Sequence, residues 1–289
     1  MNKIITSLSL VFIFFYSAGL YSQCSDAGIC IIGSEHHKSG SQKSSFNLEY
    51  SYGQSGNETY DEYEYTVHEF KFGGNFVFSK TFSLTAVLPV MSVVYNSSHL
   101  LSRNGIADAI VLANYHIPAG KLKNFTLMGG LKLATSGLEP DKFRYFNALG
   151  SNDIILGADF NYSFLNLSAG FQIPFSNYED DGFKFKRGPD FMFRAGYLRK
   201  ADDLLIKFEV LGIKRLVKSE YSSSNHTSSE IKDSDFFQLN ILGGLMYNFS
   251  RDLSGGITLF LPMLKRDENS DGTKRSFTVA AKFSYAFDL

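Results

Sequence analysis

Lys274-Arg-Ser-Phe-Thr-Val-Ala-Ala-Lys-Phe-Ser-Tyr-Ala-Phe-Asp-Leu289 is the last stretch of the chain. Phe277, Val279, Ala281, Phe283, Tyr285, Phe287 and Leu289 are apolar, and Ser276, Thr278, Ala280, Lys282, Ser284, Ala286 and Asp288 stand between them. A period of two is a strand with one apolar face. The stretch is long for a soluble strand and runs to the chain end without a turn. Two architectures offer such a strand a place: the edge of a soluble β-sandwich, and the closing strand of a membrane barrel. The first exposes a long aromatic stripe to edge-to-edge pairing. The second buries the edge against strand one and gives the stripe to lipid.

The same period recurs upstream. Ser45–Tyr52 carries Phe46, Leu48, Tyr50 and Tyr52 on one face, and a strand over Tyr63–Phe78 follows. In that second strand the phase changes between Val67 and Phe70, which predicts a bulge near His68. Phe82–Val90, Gly105–Ile117, Phe125–Leu133, Asp153–Phe164, Leu165–Phe175, Phe191–Tyr197, Leu204–Val210, Ser234–Phe249 and Leu253–Leu261 complete the set before the final strand. The connections alternate. Gly53–Glu62, Tyr95–Asn104, Thr135–Asn152, Ser176–Gly188, Ile213–Asp233 and Lys265–Thr273 are long and polar, while Ser79-Lys80-Thr81, Pro118–Asn124, Arg199–Asp203 and Ser250-Arg251-Asp252 are short. An antiparallel outer-membrane barrel with an even strand number has long loops outside and short turns on the periplasmic side. A sandwich has no reason to sort its loops so. The expected fold is therefore all-β: a transmembrane antiparallel barrel of about twelve strands with both termini periplasmic. Tyr95, Tyr115, Tyr162, Tyr197, Tyr247 and Tyr285 fall at strand ends, where interfacial girdles lie.

If the apolar face meets lipid, the other face lines the interior. That register sends Lys71, Lys132, Arg194, Lys207 and Lys282 inward, together with Asp108, Asp153, Asp159, Asp190 and Glu209. The signs balance. Charges in a low-dielectric interior must pair or stay wet. The functional reading is a narrow polar passage; the structural one is that these groups only brace a small barrel.

Residues 1–22 carry Lys3, the apolar run Ile4–Tyr16 and then small residues, as a signal peptide does, with cleavage expected after Ser22 or Gln23. Residues 23–44 form a periplasmic leader, and 45–289 the barrel. Cys24 and Cys30 are the two cysteines of the chain. In an oxidising compartment they read as a local disulfide, with acylation of Cys24 as the rival. They do not make a zinc site, and His36 and His37 nearby read as polar leader. The net charge of −1 gives no footprint for nucleic acid. Tyrosine (16) and phenylalanine (28) are plentiful, whereas tryptophan is absent. After the leader no segment approaches the ~20 apolar residues that a membrane helix needs.

Three short motifs carry a resemblance. Gly105-Ile106-Ala107-Asp108 opens the fourth strand, Gly130-Leu131-Lys132-Leu133-Ala134-Thr135-Ser136-Gly137 ends the fifth, and Leu149-Gly150-Ser151-Asn152-Asp153 opens the sixth. In this order they resemble a family of outer-membrane barrels held to be transporters of the meta-pathway of phenol degradation, with related uncharacterised barrels. The family usually has proline where Ala134 stands. The resemblance implies a β-barrel that moves small molecules. It names no solute and carries over no catalytic residue.

The chain thus reads as a passive outer-membrane channel for small solutes, hydrophobic or aromatic ones among the candidates. The alternative is a non-conducting surface barrel whose extracellular loops bind an external partner. An enzyme is not expected. There is no GxSxG elbow, and no histidine has an obvious serine partner at strand-neighbour spacing. No cofactor or metal is called for. The implied partners are outer-membrane lipid, the barrel-assembly machinery and the solute. Mass spectrometry of the mature N-terminus should find Cys24 and Cys30 joined, a ring small enough to contribute only about 2 kcal/mol. A diacylglycerol on Cys24 would show the rival chemistry instead.

Overall fold

The computed structural model describes Ile32 and residues 43–54, 64–96, 101–118, 124–135, 151–180, 183–223, 226–264 and 277–288. Residues 1–22, expected as a signal peptide, and Cys24, Cys30, His36 and His37 lie outside the described residues, as does the side chain of Tyr95.

Seventeen strands are described. The first half of the chain contributes β1 (Ser44–Gln54), β2 (Glu64–Val77), β3 (Phe82–Asn96), β4 (Leu101–Ile106), β5 (Ala109–His116), β6 (Phe125–Leu133), β7 (Asp153–Tyr162) and β8 (Leu165–Pro174). The second half adds β9 (Tyr178–Asp180), β10 (Phe183–Lys186), β11 (Asp190–Ala201), β12 (Leu204–Arg215), β13 (Glu220–Ser223), β14 (His226–Glu230), β15 (Phe237–Asn248), β16 (Leu253–Leu264) and β17 (Phe277–Phe287). Twelve of the walls' strands close into one antiparallel barrel, with β4 and β5 counting as a single strand broken at Ala107-Asp108. The last stretch of sequence does the closing: β17 pairs with β1 from Ser44↔Phe287 to Gln54↔Phe277.

Side chains alternate as the pleat demands. On β8, Leu165, Leu167, Ala169, Phe171 and Ile173 are exposed, while Asn166, Ser168, Gly170 and Gln172 between them are buried. The outward face elsewhere holds Phe46, Leu48, Phe70, Phe72, Leu127, Leu131, Ile154, Leu156, Phe208, Ile257 and Phe283, all exposed. So continuous an apolar wall has hydrocarbon for its solvent, and the fold is that of a membrane-spanning barrel. Tyr115, Tyr162, Tyr197, Tyr247 and Tyr285 ring the outside near the short-turn end. Outward glycines are covered by rings: Gly212 lies under Phe193 and Phe237, which stack at 6.1 Å.

The short turns follow from their serines and aspartates. Ser79 Oγ accepts from the backbone N–H of Thr81 (3.2 Å) and Phe82 (3.0 Å), and Ser250 Oγ does the same for Asp252 (3.2 Å) and Leu253 (3.0 Å). Ser163 (φ 56°) and Asp202 (φ 52°) take left-handed backbone in the two-residue turns β7–β8 and β11–β12. At the seam, Lys43 Nζ donates to Asp252 at 2.6 Å and lies 3.6 Å from Asp288. The Asp252 hydrogen bond holds its ammonium pKa above the ordinary lysine value against desolvation, and the charges of Asp252 and Asp288 add to the rise.

Several expectations are corrected. No bulge occurs at His68: β2 pairs continuously with β1 and β3 through this point. Val67 breaks the pattern because it faces inward, packing with Met91, Val93 and Ala107. His68 faces outward, where its Nδ1 meets Tyr50 Oη at 2.8 Å. The third strand runs on to Asn96, and β4 begins at Leu101, inside the stretch expected as loop. The ninth strand of the barrel runs to Arg215 rather than ending near Val210. Two of the long connections are not plain loops. Their segments β9, β10, β13 and β14 form a separate four-stranded sheet at the long-loop end. Strands of three to five residues are too short to show a period: β13 and β14 are serine-rich, and the alternation of β10, Phe183-Lys184-Phe185-Lys186, covers four residues only.

Phe283 and Lys282 test the register of the closing strand, since Phe283 faces out at 55 % exposure and Lys282 faces in beside Glu49. Phe283→Asp should lose most of the folded, heat-modifiable barrel, with a cost approaching the ~2–4 kcal/mol of a lipid-facing charge. Lys282→Asp should fold at close to the wild-type yield. Gel mobility before and after boiling reads both.

Candidate functional site inside the barrel

The inward face holds three groups of ionisable side chains separated by an apolar belt. The first group lies at the long-loop rim. Cross-strand register sets Lys132 (β6) beside Asp153 (β7), and Asp190 (β11) beside both Gln172 (β8) and Arg215 (β12). Lys132 Nζ is 3.0 Å from Asp153 Oδ2 and 3.2 Å from Asp108 Oδ2. Asp153 also accepts from Ser151 Oγ at 2.8 Å, and from Gln172 Nε2. Arg187 bridges Asp153 (3.1 Å) to Asp190. Arg215 forks onto Asp190 through Nε and NH2, each at 3.1 Å, and donates to Ser219 Oγ at 3.0 Å. All six charged groups are buried. Three cations face three carboxylates, so the rim is neutral as a unit. Bidentate geometry and extra donors are what make such burial tolerable.

The three sequence motifs meet here. Thr135 Oγ1 donates to Ala107 O at 2.7 Å and accepts from Ala109 N at 2.9 Å, stitching the break between β4 and β5. Asn152 Oδ1 accepts from Ala134 N at 2.9 Å. Asp108, Lys132 and Asp153 therefore share one node although the chain separates them widely.

Arg187 and Arg215 are site residues that the sequence reading missed, because both fell in stretches read as loop. Arg215 continues the inward alternation of Glu209, Leu211 and Ile213 and could have been found by extending the strand. Arg187 could not. It enters from the connection to β11, where Gly188 crosses so close that a Cβ would sit 1.8 Å from Val217 O. Only glycine permits that crossing.

The second group lies nearer the short turns. Glu209 on β12 is 3.5 Å from Arg194 NH1 and 3.4 Å from Lys207 Nζ. Asp159 sits opposite Ser168, which sits opposite Arg194, so one row crosses β7, β8 and β11. The third group is on β1 and β2: Lys71 Nζ lies 3.0 Å from Glu49 and 3.4 Å from Glu69, and Ser51 Oγ donates to Glu69 at 3.2 Å. Lys282 is the register partner of Glu49. The structure thus adds Glu49 and Glu69 to the inward acids, and Arg187 and Arg215 to the inward bases. The balance of signs is unchanged.

Between rim and second group the interior is apolar, which the expectation of a polar passage did not include. Ile110, Leu112, Met128, Ile155, Met192, Leu211, Ile213 and Leu242 are buried together, with Phe260 against them and Ile32 among them. Met128, Ile155, Met192, Leu211 and Ile213 occupy inward positions of strands that also carry the charges, and Ile110, Leu112 and Leu242 come from β5 and β15. Their periodicity was masked by apolar neighbours on the lipid side.

No histidine was expected to have an obvious serine partner at strand-neighbour spacing, and although Ser83 is the register partner of Asn114, its hydroxyl comes near a histidine ring. His116 Nε2 is 3.5 Å from Ser83 Oγ, and His116 Nδ1 meets Thr126 Oγ1 at 2.9 Å. Ser83 is fully buried and already accepts from Asn114 Nδ2 at 3.3 Å. A hydrolase needs an accessible nucleophile and an orienting acid on the far ring nitrogen. Here the serine is covered and the far nitrogen faces a threonine. The pair belongs to a polar cluster that also holds Asn75 and Thr85.

Among solved structures, an outer-membrane channel from Pseudomonas putida F1 matches with a TM-score of 0.64 at 11% identity, over 85% of this chain and 96% of that one. A KdgM porin scores 0.46 at 12% identity (84% and 99% covered), and the outer membrane phospholipase A from Escherichia coli 0.46 at 10% (84% and 97%). Only the first is near enough to speak for the fold, and at that identity it speaks for the fold alone. No family model matches the chain, and no curated protein does.

Breaking the rim should be costly. Arg215→Met removes a buried partner of Asp190 and should destabilise the barrel by roughly 3–5 kcal/mol. The urea midpoint of the folded barrel in detergent, compared with that of Lys214→Met on the neighbouring outward position, measures it.

Proposed function

We propose that this chain is a passive outer-membrane channel for small solutes. One observation carries the reading. Although the β5–β8 side of the interior is dry, Lys71 and Glu49 keep 29% and 24% of their side-chain surface and Lys207 keeps 17%, all on inward positions. Asn47, Gly73, Lys282, Ser284, Ser254 and Thr258 on the same side are also only partly buried. Groups that only braced a barrel would be packed dry. A lining that water reaches from the short-turn end is a vestibule.

In this reading residues 1–22 are removed as a signal peptide, the barrel-assembly machinery inserts the rest, and outer-membrane lipid covers the wall. Short turns and termini face the periplasm. Lys71, Asp108, Lys132, Asp153, Asp159, Asp190, Arg194, Lys207, Glu209 and Lys282 line or gate the path. The balance of signs makes it weakly selective, since a selective filter needs a ring of one sign. The resemblance to barrels of the phenol meta-pathway supports hydrophobic or aromatic solutes. No step of bond chemistry is assigned to the chain.

The sheet of β9, β10, β13 and β14 favours one second reading: a non-conducting barrel that presents this sheet to an external partner. Planar-bilayer recording separates the two. The purified protein should conduct in small steps with a reversal potential near zero under a salt gradient. Arg194→Gln should tilt it towards cations, and Asp159→Asn towards anions. Silence in all three proteins leaves the display reading.

A further inference from the structure

We infer that Asn240 anchors a solute-binding site at the inner end of the vestibule, and that the site takes a neutral ring compound bearing a carboxamide or a hydroxyl. The site deepens the channel reading, on which it rests for the route by which a solute arrives, and adds to it a ligand class.

Among the described residues four asparagines are buried on the inward face: Asn75, Asn114, Asn166 and Asn240. Three of them hydrogen-bond other side chains. Asn75 Oδ1 accepts from Thr85 at 3.3 Å, Asn114 Nδ2 donates to Ser83 at 3.3 Å and to Thr85 at 3.0 Å, and Asn166 Nδ2 donates to Asn161 at 2.6 Å. Asn240 differs. It is 2% exposed, and neither its Oδ1 nor its Nδ2 meets a hydrogen-bond partner among the described residues. A primary amide carries two donors and an acceptor with two lone pairs. Burying it unmet is less favourable than putting carbon in its place. A break in polar satisfaction of this kind belongs with functional sites.

The neighbours of Asn240 in the sheet are apolar. Its cross-strand partners are Leu211 on β12 and Pro262 on β16, and the next inward residue along β15 is Leu242. The ladder is irregular at this point: Leu239 faces Leu264 while Asn240 faces Pro262, which leaves Met263 as the extra residue of a bulge. A bulge re-aims the side chains beside it. Towards the short turns the wall becomes wet. Phe260 is the partner of Leu242, Thr258 and Gly244 are the next inward pair, and all three of Phe260, Thr258 and Gly244 are only partly buried. Phe260 thus stands between the amide and the vestibule with part of its ring open to the interior. Rotation of a partly exposed side chain is fast, and a turn of this ring opens the amide to the vestibule.

This setting fixes the chemistry of the ligand. Asn240 needs a donor and an acceptor side by side, which a carboxamide supplies as two parallel hydrogen bonds and a hydroxyl supplies from one oxygen. The apolar body of the ligand lies against Phe260, ring on ring. A carboxylate has no donor for Oδ1, and it would lose its hydration beside Leu211 and Pro262 with no cation at either partner position. The group that binds is therefore neutral.

Benzamide is the probe. Saturation-transfer NMR on the full chain in amphipol should show it bound to the wild type, at least about tenfold more weakly to Asn240→Leu, and at least about tenfold more tightly than benzoate. The urea midpoint of Asn240→Leu should rise above that of wild type, because the substitution removes an unmet amide; a purely structural asparagine would give a fall. Heat-modifiable mobility confirms folding, and Asn240→Ala replaces the leucine variant in the binding measurement if that one misfolds. In planar bilayers benzamide should block the wild type and leave Asn240→Leu conducting. Equal binding to wild type and variant, no binding to either, or a lower urea midpoint would overturn the site, and benzoate binding as tightly as benzamide would overturn the neutral class. Conductance without benzamide binding would overturn the site and leave the channel reading standing. Binding that depends on Asn240 in a silent protein would support the site and overturn the channel reading.

Discussion

Pairing of β17 with β1 is the constraint on which the rest of the structure depends. Inside a bilayer no water satisfies a free backbone N–H or C=O, so a sheet can span only if it has no edge. The in-register ladder from Ser44↔Phe287 to Gln54↔Phe277 removes both edges at once. Closure then decides what every other residue meets. The pleat sends alternate side chains to lipid or to the interior, and one shift in register would exchange the two sets. The Lys43 contacts to Asp252 and Asp288 sit at this same seam, tying the start of β1 to the turn before β16 and to the end of the chain.

Closure also makes the interior a confined place with its own rules. A carboxylate there is either neutralised by a neighbour or exposed to water. Both solutions appear. On the β6–β12 side, Asp108, Asp153, Asp190 and Glu209 are dry and each lies against a cation. On the β1–β2 side, Glu49 and Lys71 pair and remain accessible. The apolar girdle divides the dry charges into two tiers. A lining with tiers and a hydrophobic waist differs from a uniformly polar pore.

The strands were legible because one face of each meets lipid. Phe277, Val279, Phe283 and Tyr285 read as a stripe from spacing alone, as did the outward set of β8. Inward charges such as Lys132, Asp153 and Arg194 stood out against that stripe for the same reason. Val67 misled because an apolar residue on the inward face looks like a change of phase. The girdle stayed hidden on the same ground: Ile110, Ile155 and Leu211 lie between apolar neighbours, and periodicity has no contrast there. Arg187 was invisible because its place depends on the crossing of two distant connections at Gly188 and Val217.

By itself, then, the order of residues determined the main strands of the barrel wall, which face of each meets lipid, and that the sheet must close, since alternation and loop length are local properties, whereas β4, β9, β10, β13 and β14 fell in stretches read as loop. The partners of the charges were decided only by tertiary structure. Lys132 was legible as inward, but its choice of Asp108 and Asp153 depends on the stagger of neighbouring strands around the barrel. The same holds for Ile32, which is buried among apolar side chains assembled by strands far along the sequence. Contacts of that kind are long-range, and no local pattern encodes them.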